Sequence, residues 1–275
     1  MDIQNRASYL RENPNIFEFY RLLKSSRYTV VLTGAGMSTE SGIPDFRSSD
    51  GLWRGIDPMK VACREALLYD YDKFYDFYKM RVENLENCNP HIGYEILAKW
   101  GRIGFIRSII TQNVDDFHIS AGNRRVIRVH GTINEFSCLN CGQSATKDMF
   151  VNKEKCTSCG NNFRPNVVLF GEDLPEDELD NAVDEVSNAD LLIVIGTSLS
   201  VSPVNQLIHL SKGKKVYINN DLTFSHDFDL AFSENAGELL EILNRLIFKN
   251  IFDGISVDEI YDVAYEFLEE DEEEF

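Results

Sequence analysis

Four cysteines carry the sharpest chemical signal in this 275-residue sequence. Cys138-x2-Cys141 is followed, after fourteen residues, by Cys156-x2-Cys159. Two such pairs supply four thiolates at the separation of a tetrahedral zinc site. Gly142 and Gly160 follow the second cysteine of each pair and permit the tight turn of a metal knuckle. Four protein ligands leave no open coordination position, so the expected Zn2+ is structural. Two disulfides are the competing reading, but disulfides belong mainly to exported proteins. A redox motif is another, although one pair would suffice for it. Cys63 and Cys88 lack such partners and read as ordinary thiols.

A second group of residues has the chemistry of nucleotide and proton handling. Gly34-Ala35-Gly36 directly follows the apolar run Tyr28 to Leu32. Two glycines after a buried strand let the backbone turn tightly and approach a phosphate at a helix start. Thr39 stands where a dinucleotide fingerprint would have its third glycine, so the pair alone is a weak signal. Phe46 can stack on a flat heterocycle and Arg47 can hold phosphate or ribose oxygens. A packed Phe and a surface ion pair are the plainer alternatives. Asp115 can accept a hydrogen bond from an amide NH2 or simply cap a helix. His130 ends a short apolar segment, and an imidazole with a pKa of ~6.5 suits reversible proton transfer. Tyr78 and Arg81 are three residues apart, on one helix face, and together make a sensible carboxylate clamp. The plainer reading packs Tyr78 against Phe74 and Phe77 and leaves Arg81 in solvent.

These side chains need a scaffold that brings them together. Strand-like apolar runs fall at 28–32, 105–111, 126–129, 190–196 and 215–218. Helical periodicity covers 15–24, 69–85, 91–98, 176–187 and 204–212. The alternation predicts a doubly wound parallel α/β sheet. Candidate residues fall repeatedly just after strands, where such sheets bind ligands. Residues 137–164 break the rhythm: they are polar, hold four of the six cysteines and read as an insert. The expected division is 1–134 with 165–249 as the nucleotide-binding domain, 135–164 as a zinc insert and 250–275 as an acidic extension.

The run from Gly34 to Arg47 matches G-A-G-x-S-x-x-S-G-I-P-D-F-R without a gap, and on it the chain resembles the sirtuins, the NAD-dependent protein deacylases. The resemblance continues to about Leu243. It implies that Gly34, Ala35, Gly36, Ser38, Thr39, Phe46 and Arg47 bind NAD. Thr111-Gln112-Asn113-Val114-Asp115 resembles the family's T-Q-N-I-D. By that likeness Gln112 contacts ribose, Asp115 and the Val114 backbone hold the nicotinamide carboxamide, and Asn113 is catalytic. Val129-His130-Gly131 resembles L-H-G, whose histidine is the general base. The four-cysteine zinc insert also follows that histidine in sirtuins. Arg164 to Glu172 resembles R-P-N-I-V-x-F-G-E, which places Val168, Phe170 and Gly171 beside the substrate peptide as an added strand. Gly196, Thr197, Ser198, Asn219 and Ala236 match positions that contact the rest of NAD. Some sirtuins carry Y-x-x-R for acidic acyl groups such as succinyl, although these tend to have Thr where this chain has Asp45. Asp116, where the family usually has Gly or Arg, is expected to add negative charge near the site.

The implied reaction moves an acyl group from lysine to ADP-ribose. The acyl oxygen attacks the ribose carbon bearing nicotinamide, nicotinamide leaves, and His130 activates a ribose hydroxyl that captures the alkylamidate. The products are free lysine, nicotinamide and O-acyl-ADP-ribose. The rival functions are an ADP-ribosyltransferase or NAD glycohydrolase, and a non-catalytic NAD sensor.

Composition narrows the partners. The formal charge is −18, which argues against nucleic acid. Residues 250–275 hold eleven Asp and Glu and no Lys or Arg, so −7 remains for 1–249 (−18 + 11). No apolar run approaches the ~20 residues that cross a bilayer, and the start of the chain has no signal-peptide pattern. The expected location is the cytoplasm, and the expected partner is an acylated-lysine protein or peptide. Ser256 to Leu268 has the pattern of an amphipathic helix opened by a capping box at Ser256 and Glu259.

Overall fold

The computed structural model describes residues 13–45 and 56–248, with the backbone of Ile251–Phe252 and Ile255–Ser256. In chain order the strands are β1 (Thr29–Thr33), β2 (Ser108–Thr111), β3 (Val126–Arg128), β4 (Gly131–Cys138), β5 (Ser144–Ala145), β6 (Phe163–Val167), β7 (Leu191–Ile195), β8 (Lys214–Ile218) and β9 (Leu230–Phe232), followed by the hairpin pair β10 (Ile251–Phe252) and β11 (Ile255–Ser256). The helices are α1 (Asn15–Ser25), α2 (Pro58–Val61), α3 (Arg64–Tyr69), α4 (Tyr71–Leu85), α5 (Ile92–Arg102), α6 (Phe117–Ser120), α7 (Lys147–Val151), α8 (Glu176–Asn188) and α9 (Ala236–Phe248).

Six strands form a parallel sheet in the order β3-β2-β1-β7-β8-β9. Counted within the sheet this is 3-2-1-4-5-6, the doubly wound order, with its direction of winding reversing between β1 and β7. Side chains alternate between two cores. Val31, Ile109, Ile193, Ile195 and Val216 pack with residues of α1, α5 and α9. Val30, Leu32, Ile110, Leu192, Val194 and Tyr217 pack with Ala182 and Val186 of α8. Because both faces are covered, the strands read as unbroken apolar runs.

A smaller antiparallel sheet, β5-β4-β6, carries Cys138 at the end of β4 and is built from strands between residues 131 and 167. The aromatic stripe of α4 packs on this sheet and not on the large one. Phe74, Tyr75, Phe77 and Tyr78 share a core with Phe136, Phe150 and Phe163. Tyr75 meets Phe150 edge-on at 5.4 Å, and the Tyr71 hydroxyl donates to Phe163 O at 2.7 Å.

Three expectations about elements are revised. The helical run 69–85 is broken at Asp70, whose extended φ of −141° separates α3 from α4. The segment read as helical over 204–212 is a 3-10 helix, Val204–His209. The turn after β1 also enters a 3-10 helix, Ala35–Ser41, before Gly42 ends it. Phe46, Arg47 and the amphipathic segment beyond Ser256 lie outside the described residues; the Ser256 backbone pairs with Ile251 in the hairpin. Among the described residues no helix is long and apolar enough to cross a membrane.

Candidate functional site

The carboxyl ends of β1, β2, β3, β7 and β8 open onto one cleft of about 570 Å³. Gln112, Asn113 and Val114 reach it after β2, His130 after β3, Gly196, Thr197 and Ser198 after β7, and Asn219 after β8. Ala35, Gly36 and Thr39 line it from the turn after β1, Tyr78 and Arg81 from α4, and residues 167–172 from the segment after β6. Ser38 and Asp115 line a side pocket that shares Ala35, Arg81, Asn113 and Val114 with the cleft. Among the described candidates for cofactor and substrate, two are not on these walls. Gly34 is buried beneath them, and Ala236 is 7% exposed and packs into the core of the large sheet.

The glycines have a different first role from phosphate approach. Gly36 N donates to Gly196 O at 2.8 Å, and Gly34 N donates to Ile195 O at 2.9 Å. A Cβ on Gly36 would fall 2.8 Å from Gly196 Cα, and one on Gly196 would fall 2.2 Å from Met37 N. The two strand-end turns therefore touch across the point where winding reverses, and only glycines let them. Gly196 also adopts φ 63°, where a side chain is strained.

Behind the side pocket is a closed polar network. Ser38 Oγ donates to Asp115 Oδ2 at 2.7 Å, and Phe117 N donates to Asp115 Oδ1 at 3.0 Å. Asp115 thus accepts from the first backbone N–H of α6, one residue before the helix's N-cap Asp116, while it lines the pocket. Burial pushes its carboxyl up, and the bonds from Ser38 and Phe117 oppose the rise. Asn113 spends both amide protons, on Gly34 O and Ser38 Oγ, each at 2.9 Å. Gln112 Nε2 donates to Thr197 Oγ1 at 3.0 Å, joining the β2 and β7 ends.

His130 Nδ1 is 3.0 Å from Gln112 O. A carbonyl only accepts, so Nδ1 carries the proton and Nε2 keeps its lone pair. Burial lowers the His130 pKa, with the Gln112 carbonyl pulling the other way. Its own carbonyl accepts from Val168 N at 3.0 Å, which ties the histidine to the wall expected to meet peptide. That wall is shaped by the two ends of its own motif. Arg164 donates to both carboxylate oxygens of Glu172 and to Val167 O, and Glu172 accepts from Leu169 N at 3.0 Å. Burial would raise the Glu172 carboxyl, but these bonds hold it below its ordinary value. Phe170 pairs with the residues flanking Cys63: its N donates to Ala62 O at 3.1 Å, and Arg64 N donates to its O at 3.0 Å.

On the opposite wall Tyr78 is 3% exposed, and burial pushes its phenol up to about 12. The Arg81 guanidinium stands 5.7 Å from the Phe77 and Tyr78 ring centroids and within the field of Asp115. Asp45 lines the same cleft. The charge of Asp116 is, by contrast, already compensated. Its carboxylate meets Arg128 at 3.2 Å and accepts from Thr132 and from Asn134 Nδ2, so it links the loop after β2 to β3 and β4.

The four expected metal ligands converge. Their Sγ atoms all lie within 4.8 Å of one another, and the closest pairs are 3.4 to 3.6 Å apart. Tetrahedral zinc with Zn–S bonds of ~2.3 Å places sulfurs about 3.8 Å apart, so the donor set fits. All four are free thiols, not disulfides. The two knuckles close alike: Gly142 N donates to Cys138 O and Gly160 N to Cys156 O, with φ of 70° and 72°. The cleft likewise suits a dinucleotide in size, since sites for such ligands run to ~300–1,000 Å³.

Sequence reasoning missed several residues that support this site. Tyr94 touches Ser38 from 56 positions away, and His118 bonds Thr33 across 85. The Arg164–Glu172 clasp is nearer, but nothing in its spacing distinguishes it. Tyr94 fell within an expected helix, which marked it only as a residue on a periodic segment.

The Sir2 family model matches residues 34–203. A protein named NAD-dependent protein deacetylase 1 from Geobacillus kaustophilus is 45% identical over 229 residues, covering 81% of this chain and 95% of its own. NAD-dependent protein deacylase 1 from Archaeoglobus fulgidus is 40% identical over 239 residues, covering 83% and 98%. A solved Sir2 homologue–NAD complex has a TM-score of 0.79 at 38% identity, covering 85% of this chain and 94% of that one. A Sir2 structure with a deacetylated p53 peptide and 3'-O-acetyl ADP ribose has a TM-score of 0.79 at 34% identity, covering 86% and 99%.

Proposed function

The chain belongs to the Sir2 family, and we propose that this NAD-dependent protein deacylase acts on acylated-lysine peptides with His130 as its general base. The observation that carries the reading is the Nδ1–H bond from His130 to Gln112 O, which leaves Nε2 its lone pair on a residue lining the cleft and so supports its use as a base. When bound, NAD supplies a ribose carbon with nicotinamide as leaving group and ribose hydroxyls as acyl acceptors. His130 Nε2 takes the proton from such a hydroxyl. Asp115, in the side pocket, accepts from the nicotinamide carboxamide, and Val114 supports it through its backbone. Asn113, its amide protons engaged, offers Oδ1 as its remaining polar atom. Gly36, Thr39, Thr197, Ser198 and Asn219 hold the rest of the dinucleotide, and Gly34 shapes the turn beneath. The peptide adds beside Val168, Phe170 and Gly171. Cys138, Cys141, Cys156 and Cys159 hold Zn2+ outside this chemistry. Four unbridged thiols fit a reducing compartment, and the cytoplasm is the proposed location. A charge of −18 disfavours nucleic acid as a partner.

Incubation with NAD and a panel of acyl-lysine peptides should yield free-lysine peptide, nicotinamide and O-acyl-ADP-ribose by mass spectrometry. ADP-ribosylated protein, or ADP-ribose alone, would instead favour the transferase or glycohydrolase.

The pH dependence follows from His130. A base must be neutral, so activity is present above its pKa and lost as pH falls through it. Burial lowers that pKa, which puts the acid limb of kcat/KM below the ordinary histidine value of ~6.5. A limb above that value in the pH–rate profile would contradict the assignment.

That Tyr78 and Arg81 both line the cleft supports the reading of a clamp for an acyl carboxylate, and the charge of Asp45 in the same cleft weighs against it. A charge-assisted hydrogen bond is worth about 1.5–3 kcal/mol. Arg81→Met should therefore lower the ratio of succinyl-lysine to acetyl-lysine turnover about ten- to a hundredfold. Equal loss with both peptides would make Arg81 structural, and wild-type indifference to succinyl-lysine would end the clamp reading.

A further inference from the structure

Tyr94 lines neither the cleft nor the side pocket, yet its buried hydroxyl is 2.8 Å from Ser38 Oγ. The direction of that hydrogen bond is set by its neighbours. Ser38 has one hydroxyl proton and gives it to Asp115 Oδ2, 2.7 Å away, which as a carboxylate can only accept. Asn113 Nδ2 donates to the same serine oxygen at 2.9 Å. Tyr94 must therefore donate. Ser38 Oγ receives two protons and gives one, and an O–H whose oxygen accepts hydrogen bonds becomes a stronger donor.

We propose that Tyr94 is a positioning residue, which commits the only hydroxyl proton of Ser38 to Asp115 and so holds that carboxylate as an ionised acceptor toward the side pocket. The proposal rests on the reading that Asp115 accepts from the nicotinamide carboxamide. Packing fixes where the Tyr94 hydroxyl lies. Its ring meets His118 at 4.6 Å, His91 at 5.0 Å and Phe117 at 5.6 Å, all edge-on. Burial pushes the phenol well above its ordinary range, so it stays a donor at every working pH. Around Asp115 the other charged groups are Arg81 from α4 and Asp116 beside it; Arg81 favours the ionised carboxylate and Asp116 opposes it. Neither fixes which oxygen accepts from Ser38.

Tyr94→Phe keeps the ring contacts and removes only the donor. It should raise KM for NAD and the nicotinamide concentration for half-inhibition in parallel, about two- to tenfold, while KM for the acyl-peptide stays constant. In a Ser38→Ala background the same substitution should have no further effect, because the group it acts through is gone. Unchanged NAD and nicotinamide constants in folded Tyr94→Phe would overturn the proposal, as would equal losses in both backgrounds. Asp115→Asn separates the two levels. If it raises both constants while Tyr94→Phe is silent, only the role of Tyr94 fails. If it leaves both at wild-type values, the carboxamide reading itself fails.

Discussion

His130→Ala should lower deacylation about a hundred- to ten-thousandfold, the range for loss of a positioned general base. The fold should survive. His130 is half-buried at the end of β3, and the bonds that hold its segment use its backbone, whose carbonyl accepts from Val168 N. NAD binding, measured by calorimetry, should stay near wild type, because the lost imidazole acts on a proton and the dinucleotide contacts come from other strand ends. Turnover near wild type in this variant would remove His130 from the mechanism. Loss of NAD binding together with turnover would instead make it a binding residue. The Gln112 carbonyl adds a refinement: it selects the tautomer, so a variant that disturbs the backbone there should reduce the rate without touching the imidazole.

Cys156→Ser should abolish stoichiometric zinc and sharply lower stability. Structural zinc contributes ~10–16 kcal/mol of apparent binding free energy in small zinc modules, most of it realised as folding. Here the effect should spread beyond the knuckles. Cys138 and Cys156 belong to the same core as Phe136, Phe150 and Phe163, and that core also takes Phe74, Phe77 and Tyr78 of α4. Loosening the small sheet therefore loosens the helix that carries Tyr78 and Arg81 to the cleft. The thermal midpoint, metal content by mass spectrometry and deacylation should all fall together. A stable, metal-free, fully active Cys156→Ser protein would show that the four thiols do not form the expected site.

Much of the site was legible in the sequence because its signals are local. A C-x2-C pair specifies a knuckle within a few residues, and the structure needs only to bring two of them together. The apolar runs at 190–196 and 215–218 announce buried strands, and the residues directly after them must face the crevice of a parallel sheet. Gln112, His130, Thr197 and Asn219 reach one cleft for that reason. What the tertiary structure decided depends on contacts between distant segments, which no spacing encodes. Gly36 is needed because two turns meet, and Gly196 for that contact as well as for its own φ of 63°. The charge of Asp116 is turned into a link to β3 and β4 by Arg128 and Thr132, which local sequence cannot pair with it. The aromatic stripe of α4 was periodic enough to mark a buried face, but periodicity does not say which sheet it covers. The Tyr94 hydroxyl shows the limit most clearly. Its helix was expected from the sequence, whereas its burial and its hydrogen bond to Ser38 exist only because α5 and the turn after β1 pack against each other.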